Sequence, residues 1–127
     1  MPAPSPFEYA IVRVVPRVER EEFLNVGVIV YCKAKKFLET KCSVDEERIR
    51  AVFPGADTGL IREHLDAFDK ITKGDKRGGS IACLDMPSRF RWLTAKRSTI
   101  LQSSLVHPGL THDPEETLKK LHAQLVQ

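Results

Sequence analysis

The strongest constraint on this chain's fold lies in its first third. Three β-prone segments follow one another there with only short connectors between them. Residues 7–16 (FEYAIVRVVP), 24–32 (LNVGVIVYC) and 37–42 (FLETKC) are rich in β-branched and aromatic side chains. A parallel pairing needs a crossover of about a dozen residues or more, whereas antiparallel neighbours need only a turn. The charged residues 17–22 and the polar residues 33–36 supply turns, so an antiparallel meander is expected. In the first segment Tyr9, Ile11, Arg13 and Val15 share one face, and Ala10, Val12 and Val14 the other. Both faces are largely apolar, which places this strand inside the sheet. Arg13 must then pair, reach the rim or contribute to an anion site. Gly27 marks a bulge or a close backbone approach. A turn centred near Ala34 and Lys35 sets Cys32 opposite Phe37 and Cys42 opposite Gly27, too far apart for a Cys32–Cys42 bond.

Helical signals follow. Residues 45–53 form a short helix stopped by Pro54-Gly55. Asp57 or Thr58 can cap the next helix, where Leu60, Ile61, His64, Leu65, Phe68 and Ile71 make a stripe to cover the sheet. Residues 80–86 and 98–104 read as strands, Pro87 as the opening of a turn or short helix, and residues 105–112 as a loop. Asp113, Pro114 and Glu116 start a last helix with Leu118, Leu121, His122 and Leu125 on its apolar side. The expected fold class is α+β: an antiparallel sheet, the N-terminal three-strand meander plus one or two later strands, covered by two or three helices. Its 127 residues are the usual size of one domain. Residues 1–6, with three prolines, read as a disordered arm and 7–127 as a single domain.

Several function classes fall away. No apolar run approaches the roughly 20 residues of a membrane span, and the N-terminus lacks the charged and apolar regions of a signal peptide. A cytoplasmic protein with no membrane association is expected. Three cysteines, Cys32, Cys42 and Cys83, form no Cys-x-x-Cys pair, so reduced thiols and no metal site are expected. GDKRGGS at residues 74–80 lacks the ending of a phosphate-binding loop, and no cofactor motif is present.

The net charge of +3 is small, but its distribution is uneven. Residues 86–112 contain no Asp or Glu and hold Arg89, Arg91, Lys96 and Arg97, which account for the chain's whole basic excess. Trp92, Ser98, Gln102, Ser104 and His107 lie among them. Guanidinium forks bind phosphate or carboxylate at two points, hydroxyls complete such a shell, and Trp92 offers a stacking face. If residues 98–104 are a strand with Leu101 facing the core, Ser98, Gln102 and Ser104 lie on the free side with the arginines. This composition points to a non-enzymatic binding module that holds an anionic group of a partner protein or a phosphate-bearing ligand. A solvated basic loop is the structural alternative. Two further readings stand beside it. One is a small hydrolase acting on a phosphate compound through Ser104, His107 and Asp113, although no nucleophile-elbow motif supports that triad. The other is a structural subunit of a homodimer or a larger complex.

Four stretches together, YAIVRVVP, EEFLNVGVIVYC, PSRFRWLTAKRSTILQSS and VHPGLTHDPEETLKKL, resemble the bacterial family called domain of unknown function 3037 (DUF3037). The resemblance implies a small bacterial protein without an assigned activity, and no catalytic residue follows from it. It also implies an association with kinases similar to the HipA type as partners. Asn25-Val26-Gly27 and residues 89–107 are the family-like places to search for a site.

Overall fold

The computed structural model describes residues 3–97 and 99–126. Strand β1 (Ser5–Val14), β2 (Leu24–Cys32) and β3 (Phe37–Cys42) form the expected meander. Cys42 lies opposite Gly27 and Cys32 opposite Phe37, and all three cysteines are free. A five-stranded antiparallel sheet results, ordered β3-β2-β1-β4, with β5 also on β1. Strands β4 (Leu101–Ser103) and β5 (His107–Thr111) lie end to end along the far side of β1. Ser104 joins them. Its amide donates to Ile11 O at 2.9 Å, and its hydroxyl accepts from Ile11 N at 2.8 Å, so the ladder continues through a side chain.

Among the described residues four α-helices complete the α+β fold: α1 (Glu46–Val52), α2 (Thr58–Lys73), α3 (Met86–Thr94) and α4 (Pro114–Leu125). Each starts on an aspartate, Asp45, Asp57, Asp85 or Asp113, whose carboxylate accepts from first-turn amides. Ile49, Ile61, Leu65, Ile71, Phe90 and Leu93 from α1, α2 and α3 pack against Ala10, Val12, Val14, Ile29 and Tyr31. Leu118 and Val126 pack against Phe7, Val28, Val30 and Cys32 on the opposite face of the sheet. The helices thus enclose the sheet from both sides.

Several expectations are corrected. β1 begins at Ser5, so Ser5 and Pro6 of the expected arm pair with Thr111 and Leu110. Residues 80–86 are not a strand. Ile81–Cys83 is a single 3-10 turn leading into α3. β4 is shorter than expected, and residues 107–111 are a strand rather than a loop. Pro108 is tolerated there because β5 is an edge strand. On α2, Leu60 and His64 are exposed while Thr72 is buried, because the stripe tilts toward β3, where Thr72 Oγ1 lies 2.9 Å from Thr40 Oγ1.

Gly27 fills both roles its position suggested. Val26 is an extra residue between the pairs Val12–Gly27 and Arg13–Asn25, a bulge. A Cβ on Gly27 would also stand 2.9 Å from Lys41 O and closer still to Cys42 Sγ.

Candidate functional site

The basic segment folds as a helix over its first half, and that decides where its cations go. Arg89 and Arg91 are two residues apart on α3, and such neighbours do not share a helix face. Phe90 between them is fully buried. Arg89 turns toward the C-terminus of α2, where Gly74 takes φ 71° and leaves room for the guanidinium. There its Nη1 donates to Leu84 O at 3.5 Å, and its buried Nε has no protein partner. Arg91 turns the other way. Its Nη1 and Nη2 donate to Glu8 Oε2 and Oε1 at 2.9 and 2.8 Å, a two-point ion pair across 83 positions of sequence. Arg97 folds back over Trp92, with its guanidinium carbon 3.6 Å from the ring centroid and Nη2 donating to Trp92 O. Burial lowers the Arg97 pKa. Lys96 is exposed. The four cations do not converge.

The polar residues of the segment are equally dispersed. Ser98 lies outside the described residues. Gln102 Nε2 donates to Thr99 O at 3.0 Å. Ser104 is buried and its hydroxyl donates to Leu105 O at 2.9 Å, besides its contact with Ile11. The free side expected for Ser104 is therefore corrected: it belongs to the sheet. His107 packs on Tyr9, ring centroids 5.2 Å apart. Asp113 caps α4. Ser104, His107 and Asp113 each have a separate structural task, and the triad is not assembled. Arg13 is half-buried, with its guanidinium carbon 4.1 Å from the Phe23 ring centroid and its buried Nε without a protein partner.

Around Arg91 the structure builds a cleft of about 800 Å³. Phe7, Tyr31, Pro87 and Pro108 supply its apolar walls, and Glu8, Lys33 and Arg91 its charges. Phe7 fits there because Gly109 has no side chain. A Cβ on Gly109 would meet Phe7 Cζ at 2.7 Å. Tyr31 rests on Phe90, centroids 5.1 Å apart. Burial pushes the Tyr31 phenol above its ordinary pKa, opposed by Arg91 and reinforced by Glu8. The group is therefore a neutral O–H at physiological pH. The hydrogen bonds that Arg91 donates to Glu8 raise its already high pKa. Chemically, the cleft offers an apolar bed, two cations, one carboxylate and a phenol.

Among the described residues singled out as site candidates in sequence, only Arg91 enters this cleft. Glu8, Tyr31 and Lys33 were missed. Alternation along β1 gives Glu8 the face of Ala10 and Val12, which α3 covers, and that was the available signal. One Ser–His contact also went unread: Ser43 Oγ lies 2.8 Å from Nε2 of the buried His122. Burial, reinforced by Lys41, lowers the His122 pKa. Among the described residues no group of His, Cys, Asp and Glu side chains could hold a metal ion, and no helix is long and apolar enough to cross a membrane.

A family model described as protein of unknown function (DUF3037) matches residues 9–126, nearly the whole chain, and the chain belongs to that family. No curated protein and no solved structure matches it.

Proposed function

We propose that this member of the DUF3037 family is a binding module that holds an anionic group carried on an apolar or aromatic body. The cleft between β1, β2, β5 and α3 is the binding place. One observation carries this reading: Arg91 and Lys33 stand at the same cleft as Phe7, Tyr31, Pro87 and Pro108. Of the cations between residues 89 and 107 this site uses Arg91, together with Lys33 and Tyr31. Arg91 remains more than half exposed at the cleft, so hydrogen-bonding capacity is left over after Glu8 is served. Glu8 fixes the fork and competes for it. A phosphate or carboxylate would take the remaining donors of Arg91 and the ammonium of Lys33, with its ring on Phe7 or Tyr31.

The test is a calorimetric or NMR titration with phenyl phosphate and with benzoate. Charge-assisted hydrogen bonds contribute roughly 1.5–3 kcal/mol each, so Arg91→Ala should weaken binding about tenfold or more. Glu8→Gln removes the competing charge and should strengthen binding severalfold. Equal affinity for wild type and Arg91→Ala, with the fold intact, rejects the site. Shifts centred on Trp92 instead of Tyr31 would move it to the stacked Arg97.

A further inference from the structure

The outer edge of the sheet at β3 carries its own partner in its sequence. Ser43 N donates to Val26 O at 2.7 Å, which fixes the phase of the β2–β3 ladder. In an antiparallel pair, residues with hydrogen bonds to the neighbour alternate with residues whose amides and carbonyls point away. With Ser43–Val26 a bonded pair in the register that sets Lys41 opposite Val28 and Glu39 opposite Val30, Leu38, Thr40 and Cys42 direct their backbone groups outward. Among the described residues no other element pairs with that edge. The opposite side of the sheet differs: β4 and β5 break it into two short pieces, and Pro108 lacks an amide hydrogen.

We infer that β3 pairs antiparallel with β3 of a second copy of this chain, centred on Thr40. In this two-fold register Thr40 faces Thr40 of the copy and Leu38 faces Cys42. All three outward-facing residues then fall in hydrogen-bonded positions. Glu39 faces Lys41 and Lys41 faces Glu39, in the non-hydrogen-bonded positions where cross-strand side chains approach most closely. Shifting the register by two residues in either direction sets the charges against Phe37 or Ser43. Glu39 and Lys41 are exposed, and neither has an ion-pair partner within the chain among the described residues. An edge protected against association by charge needs no opposite sign two residues along. This one alternates and is its own complement. The flanking walls fit the same arrangement. Asp69 and Lys73 on α2, paired at 2.8 Å, and Glu115 and Lys119 on α4 present both signs along a groove of about 470 Å³. A second copy meets no wall of one sign. The contact is isologous and closes as a dimer.

Sedimentation velocity from low to high micromolar concentration tests this on the full chain. Wild type should sediment as a dimer at the upper end. Glu39→Lys and Lys41→Glu each set like charges opposite twice and should raise the dissociation constant about tenfold or more. The double variant E39K/K41E restores both pairs and should regain the wild-type constant. An equimolar mixture of the two single variants should form a heterodimer, since one then carries two lysines and the other two glutamates on the edge. Circular dichroism checks that each variant is folded, and both positions are exposed. A wild type that stays monomeric overturns the inference. So does a dimer indifferent to the single changes, or one that the double variant fails to restore.

Discussion

Replacing Gly27 by alanine puts one methyl group where the central sheet has no space. The new carbon would stand 2.9 Å from Lys41 O, 3.2 Å from Cys42 Cα and nearer still to Cys42 Sγ. The sulfur belongs to a side chain and can rotate away. The carbonyl belongs to β3 and moves only if the strand does. β2 cannot yield instead, because Gly27 also faces Val12 in the fully buried middle of β1. Overpacking of this kind costs about 1–3 kcal/mol. With an unfolding entropy of roughly 2.1 cal/mol/K per residue over the 127 residues, the melting temperature should fall by about 4–11 °C. The sulfur contact is separable from the carbonyl contact. Cys42→Ala in the Gly27→Ala background should recover part of the loss, with a coupling on the order of 0.5–2 kcal/mol in a double-mutant cycle. Differential scanning calorimetry on the four proteins measures both quantities. A Gly27→Ala melting point within about 1 °C of wild type, or coupling of zero, refutes the close-approach account of this glycine.

Other outcomes follow from single contacts. Ser104→Ala removes the acceptor of the Ile11 amide and should cost about 1–3 kcal/mol in denaturant unfolding; a loss below about 0.5 kcal/mol means water replaces the hydroxyl. His122 is held below the ordinary imidazole pKa, so the unfolded chain takes up its proton first. Its contribution to stability is full above about pH 6.5 and declines as pH falls from there toward the folded value. His122→Gln should flatten that part of the acid limb in urea melts, and an unchanged limb sinks the assignment. Burial, reinforced by Asp69, pushes Cys42 up to about 12, although the residue as a whole is exposed. At pH 8 only about one Cys42 in 10⁴ is then thiolate. Exposed Cys83 should react with a disulfide reagent well before Cys42, and buried Cys32 last. Peptide mapping that finds Cys42 modified first contradicts this.

The sheet was legible where spacing alone sets geometry. A four-residue turn at residues 33–36 fixes which residues face each other on β2 and β3, so the pairing of Cys42 with Gly27 could be read in advance. The four aspartate caps were partly legible for the same reason, because a cap acts over three residues. The site was hidden by distance and by phase. Glu8 meets Arg91 across 83 positions, and no local pattern encodes that contact. Arg89 and Arg91 read as one cluster only while their backbone is undefined. Once α3 forms, their odd and even positions send them to different sides. Pro108-Gly109 is turn chemistry and predicts a loop, and the pairing of Phe7 with Gly109 in β5 overrides it.

The seam at Ser104 also bears on how the chain reaches this state. β1 leaves the ribosome well before its partners on the far side, which stays bare until residues 101–111 appear, and the Ser104–Ile11 bond closes a loop of 93 positions. Such non-local closure raises the contact order and slows folding relative to a local meander. During synthesis the β1–β2–β3 ribbon can form early, but its second edge is then the whole length of β1 rather than the short strands β4 and β5. The apolar faces later covered by α3 and α4 are exposed at the same stage. That interval is when a nascent chain is most open to strand pairing with a neighbour on the same message. The arrival of Leu101 to Thr111 ends it by covering the second edge from end to end.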